Sequence, residues 1–257
     1  MTITKAWIAF QTIVARECLR TLRVWRQTFL PAVVTCVLYF IIFGRVIGQR
    51  IGTMDGLPYV QYIAPGLIMM QVISSAYIAG VSAFFLARFQ HQIQELLVSP
   101  MPAYVIVFGF TVSAILRGII VGAIVTIIAL FFTHLHVHSW GVMIAMVLGS
   151  SGMFALAGLI NAIYAKTFDD ITIVPTFVLT PLTYLGGVFY SIHLLPAFWQ
   201  SISFLNPIFY IINAFRFGIL GLTDASIVLA FAVIGLLVII LFIFAYFLIN
   251  TGRNLRE

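Results

Sequence analysis

Several residue sets in this chain have types and spacings that could do chemistry, and each lacks a partner that the chemistry requires. Gly149-Ser150-Ser151-Gly152 reads GxSG, with serine held between small residues. A serine hydroxyl is a poor nucleophile without a base, and the last apolar segment, Ile227 to Asn250, holds no histidine. Small residues that let helices approach closely account for the same tetrad. His134, His136 and His138 alternate, and on an extended strand three imidazoles would share one face, as a metal site needs. No carboxylate or cysteine lies nearby in sequence, so the reading is an interfacial loop and no metal site is expected. A phosphate-binding GxxxxGK[ST] loop needs a lysine after glycine. The only lysines are Lys5, after Thr4, and Lys166, after Ala165. The chain therefore has no Walker A site, binds no cofactor of its own and is not an enzyme by itself. If ATP drives it, another chain binds the nucleotide.

The remaining polar residues sit inside apolar runs. Thr172, Thr176, Thr180 and Thr183 recur at i, i+4, i+8 and i+11, with Gly187 and Tyr190 extending the series. On a helix they share a face. Such a stripe lines a pathway or a dimer interface, or it packs within the chain, because threonine hydroxyls also bond back to their own helix. Pro175 and Pro181 interrupt the same segment. Gln71, Ser74, Ser75 and Ser82 form a second, looser polar face. Arg117 lies within a third apolar run, where an arginine is functional by default, unless it snorkels to the headgroups or is held in a structural ion pair.

The elements that carry these residues follow from composition. Of 257 residues, 63% are hydrophobic and only 8% are charged, against about 25% charged in a soluble domain. The mean hydropathy is +1.15. Apolar runs of about 20 residues recur throughout, which predicts an all-α polytopic membrane protein with no appended soluble module. Six spans are expected, at roughly 28–48, 61–86, 103–132, 140–164, 171–190 and 227–250. They form one domain over 27–252, with a short tail at 253–257. Residues 1–26 read differently. Trp7, Phe10, Val14, Cys18, Leu22 and Trp25 fall on one arc of a helical wheel and Lys5, Arg16, Arg20 and Arg23 fall opposite, the pattern of a basic amphipathic helix in the membrane interface. The 191–226 interval, with Pro196, Asn206, Pro207 and Arg216 among apolar residues, is too interrupted for a span and too apolar for a solvated loop. Short re-entrant helices fit it, since irregular backbone at membrane depth must be enclosed by protein or water.

The first apolar run begins near Thr28, too late and too long for a cleavable signal. Cys18 and Cys36 lie roughly 27 Å apart along a continuous helix, so both read as free thiols. The net charge of +6 comes from basic residues flanking the spans, which points to lipid headgroups and topology rather than to nucleic acid. With six spans, Lys5, Arg16, Arg20, Arg23, Arg26, Arg88, Lys166, Arg253 and Arg256 fall on one side and Arg45, Arg50 and Arg216 on the other. That bias makes both termini cytoplasmic.

Taken in order, the amphipathic start, Gln94-Glu95-Leu96-Leu97-Val98-Ser99-Pro100-Met101-Pro102, Leu195-Pro196-Ala197-Phe198-Trp199, Asn206-Pro207 and Arg216 resemble ABC-2 type transporter permeases. The stretch from Ala165-Lys166-Thr167-Phe168-Asp169-Asp170 through Thr180-Pro181 to Phe189-Tyr190 is similar to the YadH-like inner-membrane permeases of Gram-negative bacteria. The resemblance implies a half-transporter in the bacterial inner membrane that pairs with itself as a homodimer. Two copies of a separate ABC ATP-binding subunit would carry ATP and Mg. It implies a coupling helix at about 88–98, with Gln90, Gln94, Glu95, Leu96, Leu97, Ser99 and Pro100 facing the ATPase. Asp169 and Asp170 would make a second cytoplasmic contact. Spans two and five would line the pathway, and 191–226 would close its exit. Two other classes compete. An ion-coupled transporter commonly buries carboxylates in its spans, and none is expected here. The GxSG tetrad also resembles rhomboid-type proteases, which draw a histidine base from a span that here has none.

Overall fold

A computed structural model describes residues 3–99 and 101–252, with the side chains of Arg45 and Leu97 excepted. Pro100, the Leu97 side chain and the tail with Arg253 and Arg256, all named above, lie outside the described residues. The elements are helices α1 (Ile3–Arg23), α2 (Trp25–Ile51), α3 (Tyr59–Phe89), α4 (Gln92–Val98), α5 (Ala103–Phe132), α6 (Trp140–Tyr164), α7 (Asp170–Leu185), α8 (Ala197–Leu205), α9 (Pro207–Leu220) and α10 (Ile227–Thr251). A two-residue hairpin, β1 (Thr53–Met54) and β2 (Leu57–Pro58), joins α2 to α3. Asp55 and Gly56 make its turn, both at positive φ, the conformation that favours Asp-Gly in tight hairpins.

Helices α2, α3, α5, α6 and α10 are long and apolar enough to cross a membrane. The bounds of α5 and α6 match the third and fourth expected spans. Helix α7 is shorter than expected, ending at Leu185 rather than 190, because Gly186 and the left-handed Gly187 turn the chain. The bent pair α8–α9, with 86° between its arms, would pass the same length test as one span, but its ends meet. His193 before it and Asp224 after it approach to 3.8 Å, so the pair returns to the side from which it came. Helix α7 is a shorter apolar helix than the five long ones.

Helix α3 is the axis of the bundle. It packs on α6 and α5 along most of its length, and nearly three-quarters of its apolar window is buried, against about a tenth for α10. Without water to drive helices together in lipid, close approach of backbones must do so. At Gly80 and Gly158 there is no room for a β-carbon, which would strike the carbonyls of Ala155 and Tyr77 respectively. Gly118 meets Ser151 of the GxSG tetrad in the same way. Ser150 and Ser151 are fully buried, and Ser150 donates to the Val147 carbonyl of its own helix. The tetrad serves helix packing.

Helix α1 divides its apolar arc. Ile13 packs against Gly109 of α5, Ala6 and Phe10 are half-buried, and Trp7, Ile8, Leu19 and Leu22 are exposed. The wheel did not place Glu17, which is buried and bridged by Arg16 (3.2 Å) and Arg20 (2.8 Å). Cys18 and Cys36 are free thiols.

Candidate functional site

Three features share α3 and α7. At one end of both helices is an exposed junction, along their flanks a polar line, and at the other end a buried set of carbonyl clamps.

The junction follows α3. Its last turn includes Arg88 and Phe89, so the amphipathic segment after it starts at Gln92 rather than at 88. A sharp turn at left-handed His91 separates the two. Ile93 is buried and anchors α4, Leu96 packs on the core, and Gln90, Gln94 and Glu95 point outward. Ser99 closes the helix by donating to the Leu96 carbonyl at 2.7 Å. Arg88 reaches across to the end of α6, where Nη1 donates to the carbonyls of Ile163 and Ala165, both at 2.9 Å. Those carbonyls lie in a helix's last turn and have no intrahelical donor. Phe168 packs edge-on against Phe85 and Phe89. The 165–169 loop is thus fastened to the turn between α3 and α4, and a cleft of about 300 Å³ opens between them. Asp170 shapes this loop from the start of α7, accepting from the backbone N–H groups of Lys166 (2.8 Å) and Thr167 (3.0 Å). These bonds hold its carboxyl below the usual aspartate range. Asp169 is exposed beside it.

The polar line runs along both helices. On α3, Gln71, Ser74 and Ser82 lie on the narrow edge that is not fully covered, whereas Ser75 faces inward. On α7, Thr172, Thr176 and Thr180 are exposed and Thr183 is buried. Three of the four threonines bond to their own helix, Thr172 to Asp169 O, Thr180 to Pro175 O and Thr183 to Leu179 O. Thr183 alone of the four packs inside the single copy, and the side chains of Thr172, Thr176 and Thr180 are exposed on it. A π-type turn over Pro175–Leu179 widens the helix where Pro175 and Pro181 remove donors.

The clamps hold the far end of α7. The last turn of a helix and the irregular backbone after it leave carbonyls without partners. Here each of three carbonyls takes a donor from a different place. Asn206 at the tip of the bent pair donates from Nδ2 to Leu182 O. Its Oδ1 accepts from Ile208 N at 3.0 Å and so starts α9. Arg216 of α9 donates from Nη2 to Gly187 O at 2.7 Å. Tyr59 at the start of α3 donates to Phe189 O at 2.9 Å. Arg216 is 3% exposed. Its guanidinium lies 4.1 Å over the Tyr62 ring and 3.9 Å from Asp224. Gly66 permits this fit, since a β-carbon there would come within 2.7 Å of Val188 O. Tyr190 bends back to donate to Tyr184 O at 2.9 Å. Pro196 sets the start of α8.

The other sequence candidates scatter. His138 packs edge-on against Phe217, and Gln61 donates to the His134 carbonyl. Among the described residues no three histidine, cysteine or acidic side chains gather as a metal site would require. Arg117 has no ion pair among the described residues. It stands midway along α5, one helical stretch beyond the level at which α1 packs at Gly109. Sequence reasoning missed Tyr59, Tyr62 and Asp224 as site residues, while Arg88, Ile93 and Phe168 fell within the expected coupling helix and contact loop without a role of their own. Asp224 alone carried a usable signal, as an acidic residue in an apolar interval that also holds Arg216.

A family profile described as ABC-2 type transporter matches residues 8–220. The chain is 52% identical over 251 residues to the inner membrane transport permease YadH of Escherichia coli (strain K12), covering 98% of each. It is 25% identical over 240 residues to nodulation protein J of Rhizobium leguminosarum bv. viciae, covering 88% of this chain and 92% of that one. It is 28% identical over 178 residues to nodulation protein J of Sinorhizobium fredii (strain NBRC 101917 / NGR234), covering 67% of this chain and 66% of that one.

Proposed function

The chain belongs to the ABC-2 type transporter family as a transport permease, and from that premise we propose that two copies form an exporter of the bacterial inner membrane, driven by two separate ATP-binding subunits. The observation that carries this reading is that α3 and α7 each end at the exposed junction on one side and at the carbonyl clamps on the other. A push at one end is thereby delivered to the other through two helices. In this account both termini are cytoplasmic, α4 is the coupling helix, and Gln90, Gln94 and Glu95 meet the ATPase along with Asp169 and Asp170, while Leu96 seats α4 on the core. ATP and Mg bind only on that partner. Nucleotide binding closes the ATPase pair and moves α4. The rigid α4–α3 turn, pinned to α6 by Arg88, passes the displacement on and shifts the population toward outward access.

The outward-facing threonines of α7 and the uncovered edge of α3 line the pathway between the two copies. Thr172 and Thr180 bond to their own helix and would cost little against lipid, but an uncovered amide such as that of Gln71 is costly there, and a second copy or an aqueous path removes that cost. The 191–226 interval closes the outer end. The test combines purification and kinetics. A tagged chain drawn from detergent should bring down a soluble ATPase, and Glu95→Lys should abolish transport-linked stimulation of that ATPase while the chain still inserts. Full stimulation in the Glu95→Lys protein would defeat the coupling role.

A further inference from the structure

The geometry points to a binding site for the phosphate of an anionic phospholipid in a cleft between α1 and the α3–α4 turn. The cleft holds about 290 Å³, the low end of small-ligand sites. Arg16, Arg20 and Arg23 line it from α1, and Gln90 and Gln92 close it. Ala83 and Ala87 of α3 form an apolar wall. Glu17 is the one carboxylate in the lining, so the cleft carries a surplus of two positive charges.

The arginines are not used up by the fold. Arg16 donates from Nη1 to Gln92 Oε1 at 2.9 Å, and Gln92 donates to Gln90 Oε1 at 2.8 Å. Arg16 Nη2 and Arg20 Nη2 also meet Glu17, at 3.2 and 2.8 Å, but the Nε of Arg20 is buried without a hydrogen-bond acceptor. Arg23 is exposed and has no ion pair among the described residues. Buried N–H donors without acceptors are costly, and a phosphate oxygen is a strong acceptor for a guanidinium fork. Position selects the source. Leu19 and Leu22 are 63% and 56% exposed on the same helix, so α1 lies with that face in lipid, where anionic headgroups are concentrated at the height of the cleft. An acyl chain can leave along Leu19 while the phosphate meets the arginines. Because Gln92 is the first residue of α4, an occupied cleft braces the interfacial helix against the α3–α4 turn. The inference needs only that α1 lies on the membrane, and it stands whether or not an ATPase docks at α4.

The full chain, purified in neutral detergent, is titrated with phosphatidylglycerol or phosphatidylcholine, and retained lipid is read by native mass spectrometry. Each net positive charge near a headgroup is worth about fivefold in affinity, so with a surplus of two one phosphatidylglycerol per chain should be held about twenty-five-fold more tightly than phosphatidylcholine. Arg23→Gln, which disturbs no contact in the fold, should cost about fivefold. Glu17→Gln should tighten binding, a gain that misfolding does not produce. Lys5→Gln, on α1 but outside the cleft, should change nothing. Equal retention of the two lipids, or no response to either Arg23→Gln or Glu17→Gln, would overturn the site. Displacement of the lipid by millimolar inorganic phosphate would reassign it to the free anion and overturn the lipid assignment. A preference that survives only when an acidic ATPase peptide is absent would give the cleft to that partner.

Discussion

Replacing Arg216 with methionine tests the clamps at their most buried member. The side chain is 3% exposed, donates to Gly187 O at 2.7 Å and lies 4.1 Å over Tyr62. Methionine keeps much of the apolar stem, so little volume is lost. The Gly187 carbonyl is left buried without a donor, which costs about 1–3 kcal/mol. The desolvated cation–ring contact contributes about 2 kcal/mol more. Relief from burying a guanidinium returns part of this, leaving a net loss of about 2 kcal/mol. For a chain of this size that corresponds to a fall on the order of 4–8 °C in melting temperature. Cys36 is fully buried, so in a Cys18→Ser background, which removes the half-buried second thiol, its labelling by a thiol-reactive dye during heating reports unfolding. Arg216→Lys should recover less than half of the loss, because one ammonium cannot both reach Gly187 O and cover the Tyr62 face. An Arg216→Met protein melting within about 1 °C of wild type would show that Gly187 O finds another donor. The account of the turn as held by three separate clamps would then be wrong.

Gly158→Leu should prevent stable accumulation of the chain, because a β-carbon meets the Tyr77 backbone rather than a movable side chain. Expression level and gel-filtration profile would show it, with Gly152→Ala, which meets only Ile115 at 3.6 Å, as the tolerated control. Arg88→Gln should lose about 1–2 kcal/mol of stability and, in the assembled transporter, most ATPase stimulation, while the amount inserted stays constant on quantitative immunoblots. Asp170 has a folded-state pKa below its unfolded one. Its stabilising contribution is therefore present above the ordinary aspartate range and is lost as pH falls through the lowered value. Amide exchange at Lys166 and Thr167 should stay slow at a pH just below the ordinary aspartate pKa, and the Asp170→Asn protein should exchange faster there and above, the difference vanishing once pH falls below the lowered value.

Much of the fold was legible because apolar length is what a bilayer selects. Helices α5 and α6 were bounded correctly, since Pro102 and Ser139 stand at their starts and polar residues follow their ends. The end of α7 was not, because Tyr190 extended the threonine spacing past Gly186 and Gly187 and the regular period outweighed the two glycines. The loop at 52–58 hid a hairpin whose Asp55-Gly56 turn was readable. The clamps were beyond sequence reasoning for a different reason. Each joins residues far apart in the chain, 130 positions in the case of Tyr59 and Phe189, and a hydroxyl that satisfies a distant carbonyl leaves no periodic mark. Glu17 was overlooked likewise, because its burial depends on how α1 leans on its neighbours. The outward threonines were found by spacing, but spacing alone did not say that only Thr183 turns inward.

Splitting the hold on one turn among Asn206, Arg216 and Tyr59 has a statistical consequence. If each bond breaks independently with odds of about one in ten, all three are open together only about once in a thousand. An idle copy would leak rarely at this point, although no single bond in it is strong. Three modest fastenings in parallel also make release abrupt, since slackening one or two leaves the turn in place and only the last lets it go.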